Sequence, residues 1–200
     1  MFSREPLFLG RFVIDCPELM FVQYMPIAMP GTELRIPKNL WCFAGLIEQA
    51  ECRASDEQYI YLTAKRLFVG PHCLGNRPGW HTDGFGTDDI NYIWSDTLPT
   101  EFCVGQRFDL SDDHDISLAQ MAQQASPENF RTYAPGSLLQ LDSTIVHRAA
   151  QPVSEGYRTF VKVSVSRHQY NLIGNAHNYL FDYEWPMVER QASRNHPIGA

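Results

Sequence analysis

The ten residues 157–166, Tyr-Arg-Thr-Phe-Val-Lys-Val-Ser-Val-Ser, constrain the fold more than any other stretch of the chain. Successive side chains of an extended chain point to opposite faces. Thr159, Val161, Val163 and Val165 therefore share one face, and Arg158, Phe160, Lys162, Ser164 and Ser166 share the other. β-Branched residues at alternate positions suit a pleated surface. The valine face must pack against another layer. The polar face either meets water or lines a cavity.

Other segments read the same way. Residues 8–14 predict a strand, and the apolar, Met-rich stretch 19–28 contains another. Residues 58–69 and 90–95 are aromatic and β-branched, and 101–108 resumes extended character after Pro99. Short strands follow at 130–133, 137–141 and 144–149, with a hairpin-like connection at 152–156. Gly and Pro residues punctuate the gaps. Residues 39–50 fit helix and strand equally. The clearest helix is 115–125, with Asp115 as its N-cap and an apolar stripe of Leu118, Met121, Ala122 and Ala125. Many short strands around one clear helix predict a mainly β sandwich or barrel.

The 200 residues suffice for one substantial core, so a single domain over 1–200 is expected, with its motif-bearing part at about 58–168. Tyr170, Tyr179, Phe181, Tyr183 and Trp185 mark a C-terminal segment, 170–200, that covers part of the body. The net charge of -7, without a basic run, gives nucleic-acid binding no support. The five cysteines are odd in number and contain no Cys-x-x-Cys pair, which fits reduced thiols. With no signal-like start and no long apolar run, the expectation is a cytoplasmic protein without a membrane partner. Oligomeric state has no sequence signal.

The residues that carry chemistry are Trp80-His81-Thr82-Asp83-Gly84 and, downstream, His147. In extended chain His81 and Asp83 point the same way and can converge on one ion, with His147 joining from another strand. Two imidazoles and one carboxylate make a three-ligand face that leaves positions open on a non-haem iron. A His-x-Asp tripeptide alone is a weak signal. His147 and Arg158 strengthen it, because Arg158 offers a permanently charged fork for a carboxylate.

In this set the sequence resembles the iron(II)- and 2-oxoglutarate-dependent oxygenases. Their shared pattern is His-x-Asp/Glu, a distal His and a basic residue about ten positions later. Here these are His81-Thr82-Asp83, His147 and Arg158. Pro135-Gly136-Ser137-Leu138-Leu139-Gln140-Leu141-Asp142 before His147 and Arg148-Ala149-Ala150-Gln151-Pro152 after it are also similar to the family. The resemblance covers mainly 78–166. It implies a double-stranded β-helix, a jelly-roll or cupin-like fold with flanking helices. It also implies Fe(II) on His81, Asp83 and His147, with 2-oxoglutarate and O2 as co-substrates. The implied reaction is hydroxylation of an unactivated C–H bond, with release of succinate and CO2.

One position departs from the family. Many members carry Ser two residues after the basic residue, and this chain has Phe160. A second contact to the distal carboxylate then falls to Tyr92, Thr159 or Ser164, while Phe160 could wall the co-substrate pocket. Arg66 is a further candidate contact. Trp80, Tyr92 and Trp94 flank the motif, as core or as pocket lining. Gly84–Asp89 reads as a loop or lid, and Asp88 and Asp89 as solvated acids or an attraction for a cationic substrate. His72, His114, His168, His177 and His196 show no convergent spacing. Asp83 disfavours halogenation, a variant that leaves the carboxylate position empty. The expected substrate is a small molecule, an amino acid or a protein side chain. Two other classes stay open: a non-enzymatic cupin-like metal- or ligand-binding protein, and a metal enzyme that does not use 2-oxoglutarate.

Overall fold

The computed structural model describes residues 1–151 and 154–190. Its strands are β1 (Phe2–Ser3), β2 (Leu7–Arg11), β3 (Met20–Ala28), β4 (Tyr59–Val69), β5 (Ile90–Ser95), β6 (Glu101–Cys103), β7 (Gln106–Arg107), β8 (Phe130–Thr132), β9 (Ser137–Leu141), β10 (His147–Arg148) and β11 (Gly156–Ser166). Its α-helices are α1 (Ala44–Glu51) and α2 (His114–Gln124).

The major sheet has the order β2-β9-β5-β11-β4-β3, and every pairing in it is antiparallel. β11 lies in its interior, in register with β4 on one side and β5 on the other, so Val161 stands between Ala64 and Trp94. The valine face packs outward. Val161, Val163 and Val165, with Leu62, Ala64, Tyr92 and Trp94, meet Leu40, Phe43, Leu46, Ile47 and Ala50 from the 3-10 helix Lys38–Phe43 and α1. The ambiguous stretch 39–50 is therefore helical, and it covers the sheet. The opposite face of the major sheet meets a small antiparallel sheet of order β10-β6-β8. Ile93, Leu139 and Leu141 from the first pack with Phe102 from the second.

The result is two antiparallel sheets with helices, compatible with a cupin-like fold. The described strands form open sheets and no closed barrel. The polar face of β11 points between the sheets, away from bulk water: Arg158, Lys162, Ser164 and Ser166 are all buried.

Local differences from the sequence reading have identifiable causes. The helix at 115–125 begins one residue earlier, because Asp113 caps it by accepting from the Ile116 amide at 3.0 Å. Asp115 instead occupies the first turn, where an acid also suits the helix dipole. The buried edge of α2 carries His114, Ser117 and Met121, and Ala122 is exposed. The expected strand at 144–149 shrinks to β10. Asp142 Oδ1 takes both the Thr144 amide (2.8 Å) and the Thr144 hydroxyl (2.6 Å), folding the lead-in into a turn. Pro152 and Val153 of the hairpin connection, and His196, lie outside the described residues.

Candidate metal centre

His81 and His147 are drawn together by main-chain hydrogen bonds. The His81 amide donates to the His147 carbonyl at 2.9 Å, and the His147 amide returns the bond at 2.8 Å. Residues paired directly across an antiparallel bridge project to the same side, and the imidazole centroids lie 4.6 Å apart. β10 is fixed in turn by β6, where His147 faces Phe102 and Arg148 faces Glu101. Arg148 and Glu101 form an ion pair at 2.5 Å, and the guanidinium also covers Trp80 at 4.4 Å. α2 supports this region through Met121, which packs with Trp80 and Val146, the neighbours of the two histidines.

Asp83 opens a turn. Gly84, with φ of +70°, bends the chain, and the Thr87 amide and hydroxyl both donate to its carbonyl. A Cβ at position 84 would stand 2.8 Å from Asp89 Cβ and 2.8 Å from Thr87 Oγ1, so the turn requires glycine on two counts. Asp83 Oδ2 thereby reaches to 3.7 Å from His147 Nε2. One donor atom from each of His81, Asp83 and His147 lies within 4.8 Å of the others.

The donor set fits a divalent transition metal. His81 Nδ1 lies 2.9 Å from the Gly79 carbonyl, and His147 Nδ1 lies 3.0 Å from the Ile145 carbonyl. A carbonyl only accepts, so each Nδ1 donates and Nε2 is the atom each ring has left for a metal. The same contacts hold the rings in orientation, as metal-binding histidines require. Burial and the neighbouring His147 depress the His81 pKa to about 3, so this ring is neutral at ordinary pH. Burial pushes the Asp83 carboxyl up, but Lys162 and His147 outweigh it and hold the group ionised. Asp83 thus divides its oxygens: Oδ2 faces His147, and Oδ1 takes Lys162 Nζ at 3.2 Å.

Beside the triad is a cavity of about 230 Å³ whose walls include Lys65, Asn76, Arg77, Phe160 and Lys162. Three cations line it, against the single carboxylate of Asp83. Lys162 also donates to Tyr24 Oη at 2.7 Å. Burial opposes its charge, but Asp83 and Tyr24 outweigh burial and push its pKa up. Lys65 stands directly opposite Phe160 across β4 and β11. Burial, with Lys162 and Arg158 adding repulsion, lowers its pKa to about 8. Arg158 is 4% exposed and lies behind this wall, 5.1 Å from the Phe160 ring. Its Nε donates to the Leu98 carbonyl at 3.1 Å. The Asn76 amide is oriented so that its nitrogen donates to the Gly75 carbonyl and its oxygen accepts from Arg158 Nη1 at 2.9 Å. Arg158 Nη2 is buried and has no hydrogen-bond partner among the described residues.

Other sequence candidates fall elsewhere. Tyr92 pairs with Val163 and belongs to the outer core, so it points away from the triad. Trp94 shares that core, whereas Trp80 packs beside the histidines. Ser164 is on the inner face but donates to Asn91 Oδ1 at 2.6 Å and does not line the cavity. Thr159 Oγ1 accepts from Arg66 at 2.9 Å, and Arg66 also meets Asp96 at 3.5 Å. That pair sits on the valine face, so Arg66 does not reach the site. Asp89 is buried and Asp88 is exposed beside Arg167.

Sequence reasoning gave Lys65, Arg77, Lys162 and Tyr24 no role. For Lys162 the signal was present, since it alternates with Arg158 on one face. Lys65 is likewise a charge, next to Arg66, inside an aromatic, β-branched strand. Arg77 and Tyr24 carried no such mark.

No family model matches the sequence, and no curated protein matches it. Among solved structures the chain is similar to EvdO2 from Micromonospora carbonacea var. aurantiaca, at 17% identity and a TM-score of 0.42, over 65% of this chain and 60% of that one. It is also similar to EvdO2 complexed with 2-oxoglutarate, at 19% identity and a TM-score of 0.40, over 73% of this chain and 76% of that one. The chain spans 60% of the length of the first of these. Likeness at this level carries no argument about the reaction.

Proposed function

We propose that the protein is an iron(II)- and 2-oxoglutarate-dependent dioxygenase that hydroxylates an unactivated C–H bond of a small organic molecule. One observation carries this reading: two histidines, each with Nδ1 held on a backbone carbonyl, and one carboxylate converge beside a cavity lined by an excess of positive charge. The triad meets the demand of the metal, and the cations meet that of a dianionic co-substrate.

His81 Nε2, Asp83 Oδ2 and His147 Nε2 are the assigned iron ligands. Lys162 restrains the second oxygen of Asp83. Lys65, which lines the cavity, is assigned to the far carboxylate of 2-oxoglutarate, and Arg158 stands behind Asn76 as a second partner, with Nη2 as its free donor. Phe160 takes the place of the family's serine and walls the pocket. When bound, iron and 2-oxoglutarate together supply the oxidation of carbon by dioxygen, with succinate and CO2 as co-products. The chain's own residues orient the two, neutralise charge and exclude water.

In this reading the fold is a double-stranded β-helix with flanking helices, and 1–200 forms one catalytic unit. The odd number of cysteines and the lack of a Cys-x-x-Cys pair support a reducing, cytoplasmic setting. No helix among the described residues is long and apolar enough to cross a membrane.

The test is anaerobic addition of Fe(II) and 2-oxoglutarate. A visible charge-transfer band that disappears in Asp83→Ala is the expected result. Bound iron with no band on adding 2-oxoglutarate would refute co-substrate chelation. It would leave a metal protein of another kind.

A further inference from the structure

The inner face of the major sheet continues beyond the triad, and its character changes. A second cavity, of about 450 Å³, is walled by Tyr24, Tyr170, His177, Tyr183 and Trp185. Tyr183 and Trp185 lie 4.6 Å apart at 51°, His177 stacks on Tyr183 at 4.4 Å, and Tyr170 meets Tyr24 at 5.0 Å. The segment that supplies most of these rings is pinned to the body. Asn178 is fully buried and donates to the Pro26 carbonyl at 2.8 Å and the Arg35 carbonyl at 2.9 Å. Tyr170 is held by its hydroxyl on Asp89 and by Tyr61 Oη, which accepts from the Tyr170 amide at 2.9 Å.

Tyr24 lines both cavities. Its hydroxyl accepts from Lys162, which in turn meets Asp83, so the partition is two polar contacts from the metal face. Holding it there requires an unusual backbone. Tyr24 has φ of +44° in the middle of β3, where the register against β4 shifts between Val22 and Met25. Its amide donates to Thr63 Oγ1 at 3.0 Å in place of a ladder bond. A bulky residue at positive φ is costly, and such bulges re-aim side chains at sites.

Charge separates the two spaces. The first cavity is lined by Lys65, Arg77 and Lys162; among the described residues the wall of the second carries Glu184 and no lysine or arginine, with Arg190 bonded to Asn175 of that wall. An anion is favoured in the first, whereas the second offers mainly aromatic surface. Aromatic faces bind flat rings by offset and edge contacts.

We propose that the aromatic cavity binds the organic substrate of this enzyme, and that the part it binds is a flat, uncharged ring system. The inference rests on the dioxygenase reading and adds the substrate class to it. The co-substrate occupies the cationic cavity, the substrate ring the aromatic one, and Tyr24 sets the boundary between them.

The test uses the full chain loaded with Mn(II) and 2-oxoglutarate, with indole as the probe. Saturation-transfer NMR should show indole bound. Mn(II) should broaden its resonances, and Zn(II) in the same protein should not. Trp185→Ala and Tyr183→Ala should each weaken indole about tenfold, as the loss of one ring contact implies, with Mn(II) affinity unchanged. Both side chains are partly exposed, so both variants should keep the fold. Cyclohexanol should bind more weakly than indole. Absence of saturation transfer, equal binding of cyclohexanol, or absence of Mn(II) broadening would each overturn the proposal. Trp185-dependent indole binding in a protein that takes Mn(II) but not 2-oxoglutarate would support the ring site and overturn the dioxygenase reading.

Discussion

Lys65 makes the affinity for 2-oxoglutarate depend on pH in a direction that can be worked out. In the free protein its pKa lies at about 8 against an ordinary 10.5, because partial burial, with Lys162 and Arg158 nearby, opposes its charge. That displacement corresponds to roughly 3 kcal/mol. A carboxylate about 4 Å away supplies about 4 kcal/mol at the effective dielectric of a protein surface, enough to restore the ordinary value. The anion therefore binds the protonated form. At pH 7 that form predominates; at pH 9 it is about one tenth of the protein, and binding must first recover the proton. Affinity for 2-oxoglutarate should thus fall about tenfold between pH 7 and pH 9. Lys162 keeps its charge through this window, since Asp83 and Tyr24 push it up, and burial lowers Arg158, behind the wall, only to about 10. The assay is calorimetric titration of Mn(II)-loaded protein at pH 7, 8 and 9, with Lys65→Met as the comparison. Lys65→Met should bind more weakly at pH 7 and lose the pH dependence. Equal affinities at pH 7 and 9 in the unmodified chain, or the same slope in Lys65→Met, would refute the assignment.

Asp83→Ala and His147→Ala should each abolish stoichiometric Fe(II) binding, measured by anaerobic dialysis, while far-ultraviolet circular dichroism stays unchanged. Gly84→Ala should cost at least about 1 kcal/mol in denaturant unfolding, from positive φ alone. It should also weaken metal binding, because the crowded turn carries Asp83. Asp113→Ala removes the cap of α2 and should cost about 1 kcal/mol, with metal affinity preserved. Leu62→Ala empties a fully buried position under α1 and should cost about 2–5 kcal/mol, read as a shift in the urea midpoint.

The elements with the strongest patterns were legible in the sequence. Residues 58–69, 90–95 and 157–166 become β4, β5 and β11 within a residue, and they are neighbours in one sheet. Period-two alternation survives folding because the pleat imposes it locally. Helix ends and short strands were less legible. Asp113 and Asp115 are both acceptable caps, and the bond from the Ile116 amide to Asp113 is what the folded helix adopts. The strand expected at 144–149 gave way to the Asp142–Thr144 turn, a side-chain bond that competes with the ladder.

His81, Asp83 and His147 could be named from residue type and spacing, since His-x-Asp and a distal His are patterns along a line. Arg158 could be named too, but not its place behind Asn76 and Phe160. The sequence determined the alternation of β11 and left its polar face with two meanings, water or cavity. Tertiary structure decided for the cavity by laying β10 and its partner strands over that face. It also decided that Tyr92 looks outward while Lys65, Arg77 and Lys162 look in, and that Tyr24 stands between two spaces of opposite character. The physical reason is that ligand geometry, charge excess and desolvation depend on distances between residues far apart in the chain. Those distances exist only once the sheets have packed.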